Sequence, residues 1–149
     1  VEDITRRAIM TQTWKYYLNG WPSGVAYIEL PFPPLQSVTS VTYESSDGTV
    51  NTWAASKYVV DIQSEPGRVV LAYGESWPTD TLNVSNPICI TFTCGYGTPD
   101  DIPETIKSGM KIDLADLYQN RQSIIIGQTI NHLSTVDRCY MSKRMKNKW

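Results

Sequence analysis

The feature that most constrains this chain is an unbroken series of short β-favouring segments running from about residue 12 to residue 97, with no helical stretch between any two of them. Parallel α/β winding needs a crossover helix between strands, so the series predicts an antiparallel sheet or sandwich. Residues 12–19 (QTWKYYLN) are aromatic and β-favouring and stop at Asn19-Gly20. Residues 25–30 (VAYIEL) alternate and stop at Pro31, Pro33 and Pro34, a density of proline that no central strand tolerates and that predicts a rigid extended corner. In residues 35–44 (LQSVTSVTYE), strict alternation places Val38 and Thr42 on one face and Val41 and Tyr43 on the other. Asp47-Gly48 then signals a hairpin turn into residues 49–53, and Pro66-Gly67 a turn between residues 57–62 (KYVVDI) and 68–72 (RVVLA). Residues 88–94 (ICITFTC) complete about seven short strands.

At residues 98–101 the period changes. Asp101 is expected to cap a helix, with Glu104 returning the bond three residues on and Pro103 in the first turn, where its missing N–H has no consequence. Ile106, Met110, Leu114, Leu117 and Tyr118 then recur at spacings of three and four, predicting one apolar stripe on a helix that ends near Arg121. The run Ile124-Ile125-Ile126 before Gly127 reads as an extended arm. A short second helix is expected from Ser134 or Thr135, with Val136, Cys139 and Tyr140 on one side. Lys143, Arg144 and Lys146 fall around its end, where cations complement the helix dipole. Residues 1–10 read as the end of a helix, with Ile4, Ala8 and Ile9 on a shared face and no N-cap ahead, so further residues are expected upstream. The resulting plan is a helix end over 1–11, an antiparallel β domain over 12–97, a long helix over 98–122, and an arm, short helix and basic tail over 123–149.

Charge is uneven along this plan. Residues 1–136 carry 8 basic against 14 acidic groups, net −6, whereas residues 137–149 carry 5 basic and 1 acidic, net +4. A mildly acidic body with a basic tail predicts a partner for the tail. It does not resemble a nucleic-acid-binding domain, whose body would itself be basic. No apolar run approaches the roughly 20 residues of a membrane span, and no membrane partner is expected. Cys89 and Cys94 are an odd offset apart in one strand and so point to opposite faces. With Cys139 they are expected to be reduced, buried, small apolar side chains, which suits assembly in a cytosol.

The residues offer little to an enzyme. His132 is the sole histidine, no nucleophile elbow is present, and neither C-x-x-C nor H-x-x-x-H occurs. Asp113 and Asp116 read as a polar helix face rather than paired catalytic carboxylates. The glycines of Cys94-Gly95-Tyr96-Gly97 are followed by Pro99 and two aspartates, which would repel a phosphate. Trp14, Trp21, Trp53 and Trp77 all lie in the β region, where core packing is the commoner role and an exposed carbohydrate platform the alternative. No catalytic residue, metal ligand or cofactor is expected.

Several stretches together resemble one family, the bacteriophage head–tail connector (adaptor) proteins that carry a β domain inserted in a helical bundle. They are residues 8–14 (AIMTQTW), 28–43 (IELPFPPLQSVTSVTY), 58–74 (YVVDIQSEPGRVVLAYG), 75–78 (ESWP), 90–97 (ITFTCGYG), 102–107 (IPETIK) and 117–127 (LYQNRQSIIIG). The resemblance spans about residues 2–140, and the order and spacing of the stretches make it specific. It implies an α+β fold, with a small antiparallel β domain inserted in a helical bundle. It also implies a structural subunit of a homo-oligomeric ring, typically twelve-fold, that docks beneath the portal protein in the virion neck. Such a ring extends the channel for non-specific passage of double-stranded DNA and presents a surface to a tail-completion or neck protein. The family usually has helices ahead of the segment that residues 1–8 match, so a longer native chain is expected to supply them, and residues 141–149 follow no family pattern.

Within that reading, Arg138, Lys143, Arg144, Lys146 and Lys148, with Trp149 as an aromatic anchor, are the expected portal-binding residues, on a tail loosely ordered until it docks. Ile124, Ile125 and Ile126 are expected at the contact between subunits, because an apolar extended segment adds readily to a neighbour's edge or groove. The alternative to a connector is a β-rich phage tail piece or receptor- or carbohydrate-binding module.

Overall fold

The computed structural model describes residues 1–119 and 134–145. The fold is α+β, with seven strands in two antiparallel sheets and three α-helices among the described residues. Strands β1 (Gln12–Leu18), β3 (Leu35–Glu44), β4 (Val50–Thr52) and β7 (Ile88–Cys94) form one sheet in the order β1-β7-β3-β4. Strands β2 (Tyr27–Glu29), β5 (Tyr58–Asp61) and β6 (Arg68–Leu71) form the other in the order β2-β6-β5. The sheets share one core, to which β7 gives Ile88, Ile90, Phe92 and Cys94, β3 gives Leu35 and Val41, and the second sheet gives Ile28, Tyr58 and Val69. Strict alternation holds along β7, so Cys94 is buried while Cys89 faces the other way, as its offset predicts; the three cysteines are unpaired.

In β3 alternation fails. Its pairing with β7 shifts register between Leu35 and Ser37 and again between Val38 and Ser40. Each bulge inserts one residue, so Leu35, Val38, Val41 and Tyr43 lie opposite Cys94, Phe92, Ile90 and Ile88, all on the core face. Val38 and Val41 therefore share a face, contrary to the alternation expected from sequence. The corner at 31–34 also differs from the extended form expected. Phe32 takes a left-handed φ of 59°, and the Pro33–Pro34 bond is cis. The Asp47-Gly48 turn forms as expected, with Gly48 at φ 85° and the Asp47 carboxylate accepting the Thr49 N–H at 2.9 Å.

The opening helix α1 (Glu2–Thr5) is a single turn, ended by Arg6 in the left-handed region. Ile4, Ala8 and Ile9 therefore share no helical face: Ile4 is exposed, while Ala8 and Ile9 are buried by the segment that follows the helix. Helix α2 (Glu104–Gln119) and helix α3 (Ser134–Met141) complete the described residues. The capping box falls one element earlier than expected. Thr98 is the cap of a 3-10 turn, Pro99–Asp101, and Asp101 accepts from its N–H and hydroxyl, while Glu104 pairs instead with Lys107 at 2.8 Å. The helical end joins the β domain through a small cluster of Ile9, Ile102 and Ile106 and through Gly95. At φ 116° and with the Met10 carbonyl oxygen 2.2 Å from where a Cβ would stand, this position admits only glycine.

Candidate assembly site

At the helical end, α3 lies across α2 where Gly109 leaves room. The Tyr140 ring fills that space, so closely that a Cβ on Gly109 would stand 2.7 Å from its Cε1. The Tyr140 hydroxyl donates to the Asp113 carboxylate, and burial together with this bond pushes the phenol well above its usual range. Asp113 is thus a structural acceptor, not only part of a solvated polar face.

This crossing decides which part of the apolar stripe is covered. Ile106 is fully buried and Met110 partly so, but Leu114, Leu117 and Tyr118 are each 69% exposed. The covered face runs through Ile106, Gly109 and Asp113, because α3 packs on the small residue and on the carboxylate. The second half of the stripe is left outward, an apolar patch on an otherwise polar helix.

The end of α3 is held by a residue the sequence did not single out. Arg7 is only 8% exposed; its Nε donates to the Lys143 carbonyl at 2.6 Å, and its two terminal nitrogens donate to the Glu65 carboxylate at 3.0 and 2.5 Å. The bidentate bond to Glu65 holds the Arg7 guanidinium protonated above its ordinary value and holds the Glu65 carboxyl below its own. Beside it, the Met145 N–H donates to the Thr5 carbonyl at 3.0 Å, and the Met145 side chain is buried. Residues 141–145 are therefore tied to the body, which corrects the expectation of a tail loose from residue 141 onward.

The overall fold has counterparts among solved structures. The fold matches chains of gene transfer agent particles. One structure of the neck of the native particle, computed with C12 symmetry, aligns with 99% of this chain and 77% of its own at a TM-score of 0.77 and 18% identity. The virion of the native particle aligns at a TM-score of 0.75 and 19% identity, covering 99% and 72% of the two chains. The neck of the empty particle, computed with C6 symmetry, gives the same values. No protein-family profile and no curated protein matches the chain.

On this fold the expected portal-binding residues Arg138, Lys143 and Arg144 all stand exposed on or just past α3. Lys146, Lys148 and Trp149, the arm residues Ile124, Ile125 and Ile126, and His132 lie outside the described residues. Three of the four tryptophans of the β region pack on one another: Trp21 stacks on Trp77 at 5.3 Å and tilts against Trp53 at 5.5 Å, and Trp53 stacks on Tyr58 at 5.1 Å. They belong to the core and its margin, the commoner of the two roles expected. Trp14 is the exception, 41% exposed and stacked on Phe32 at 4.9 Å. No group of three or more His, Cys, Asp or Glu side chains converges as a metal site among the described residues, and no described helix is long and apolar enough to cross a membrane.

Proposed function

We propose that this chain is a structural subunit of a phage head–tail connector ring, seated in the virion neck beneath the portal and offering the next surface to a tail-completion or neck protein. The observation that carries the reading is the likeness of fold, over 99% of the chain, to chains solved in the necks of phage-like particles. The connector stretches of the sequence support it independently. The role is passive, made of geometry and docking, and involves no turnover, cofactor or metal.

The exposed stripe of Leu114, Leu117 and Tyr118 fits a subunit whose neighbour covers it, since a cyclic ring is closed by joining two different patches of the same chain. The arm carrying Ile124, Ile125 and Ile126 follows this stripe in sequence and is assigned to the same contact. Arg138, Lys143 and Arg144, followed by Lys146, Lys148 and Trp149, form the end that meets an acidic portal surface. The acidic body keeps DNA from adhering to the channel wall, because attraction to phosphate scales with the lysines and arginines available to neutralise it. Assembly takes place in the bacterial cytoplasm.

The test is genetic and morphological. Deleting the gene from its phage and examining the lysate by electron microscopy should reveal DNA-filled heads and free tails that join again when the chain is supplied in trans. Normal tailed particles in the deletion lysate would reject the reading.

A further inference from the structure

The Arg7 clasp draws together three distant parts of the chain. Glu65, in the turn between β5 and β6, is 58 residues from Arg7, and Lys143, just past α3, is 136 residues away. A second arginine–carboxylate pair, Arg68 with Asp61, joins residues only seven apart and reaches beyond its turn only to the ring of Tyr27 on the paired strand β2, 5.1 Å away. The guanidinium of Arg7 is suited to its place by its planar fork. Two parallel N–H bonds meet the carboxylate, the Nε–H meets the Lys143 carbonyl, and Nη1 also reaches the Tyr96 hydroxyl at 3.4 Å. A lysine there could reach the carboxylate as a point charge but could not serve the carbonyl and the carboxylate together in that geometry.

We propose that Arg7 is the positioning residue of the basic C-terminal end. By anchoring the backbone at Lys143, next to the Met145–Thr5 bond, it fixes the side on which Lys143 and Arg144 stand. A basic end whose origin is fixed meets its partner with less ordering left to do on binding, and that raises affinity without adding a contact. Arg7 itself is nearly buried, so it acts through the residues it holds rather than by touching the partner. The inference rests on the reading of this end as the portal-docking surface.

A double-mutant cycle separates positioning from general stability. Its four chains are the wild type, Arg7→Lys, the double change Lys143→Ala/Arg144→Ala, which leaves the Lys143 carbonyl in place, and all three changes combined. Each is measured for binding to a purified portal ring of the same phage and for amide exchange at Met145. Arg7→Lys should speed exchange at Met145 by about ten-fold while leaving the amides of β7 protected. It should weaken portal binding by about ten-fold where Lys143 and Arg144 are present and by less than about two-fold where both are alanine. If Arg7→Lys also loosens β7, that general loss is common to both backgrounds and cancels in the cycle, so the affinity arms still decide. Unchanged exchange at Met145, or an equal loss of affinity with and without Lys143 and Arg144, overturns the proposal. A wild-type chain that does not bind the portal ring defeats the docking reading instead, while exchange at Met145 still decides whether Arg7 fixes this end.

Discussion

At Arg7 a guanidinium removed from water is matched by a carboxylate, a carbonyl and a phenol, so replacing it leaves the Lys143 carbonyl and the Glu65 carboxylate without their donor. Arg7→Ala should lower unfolding free energy by about 2–3 kcal/mol, the range of hydrogen bonds to charged groups, measured by urea denaturation. The pair also predicts a pH dependence. Glu65 has a folded pKa below its unfolded one, chiefly because of its hydrogen bond to Arg7. Its contribution is therefore complete above the unfolded value of about 4.3 and is lost as pH falls through the lower folded value. Urea midpoints followed from pH 6 downward should fall more steeply below about pH 4 in the wild type than in Glu65→Gln. At Gly109 the Tyr140 ring occupies the space of a Cβ, and Gly109→Ala should destabilise by about 1–3 kcal/mol by forcing α3 away, seen as a lower thermal midpoint. Neither residue was legible beforehand. Arg7 sits among ordinary polar neighbours and its partners are far along the chain, and a glycine within a helical pattern does not reveal which side chain will press on it.

Among the elements, β7 was the most legible, because it lies at the centre of its sheet with one face wholly inside and keeps a period of two from Ile88 to Cys94. Strand β3, its direct neighbour, has the same inward residues, but two bulges stretch their spacing and hide the pattern. The stripe on α2 was legible as a helix and misleading as a core. Spacing shows that Leu114, Leu117 and Tyr118 share a face but not what covers that face, and within the subunit they remain exposed. Their exposure gives the prediction for this scale. Leu117→Asp should change the thermal midpoint of the isolated chain little, within the about 0.5 kcal/mol typical of surface substitutions, yet reduce self-association measured by sedimentation. A large loss of stability with unchanged association would place Leu117 in the subunit's own core.

Across the whole molecule β3 runs from Leu35, beside the helical end, to Glu44, on the order of 30 Å away by the rise of a strand. Exposed Arg138, Lys143 and Arg144 stand at the helical end, which also carries Asp100, Asp101 and Glu104, while Glu44 and Asp47 lie at the β3–β4 turn. The order of the parts and the α+β class could be read from turn signals and period changes, which are local. The clasp between first and last segments could not, because it depends on contacts across the full length. The proposed neck role draws on the joint pattern of many short stretches and on the fold, not on any reactive group. It is tested most directly by cryo-electron microscopy of the intact phage neck, reconstructed without imposed symmetry. The account predicts a closed ring of copies of this fold directly beneath the portal, with the Lys143 and Arg144 end of each copy turned toward it. A neck whose density holds no such ring, with this chain found at the tail tip or missing from the particle, would contradict it.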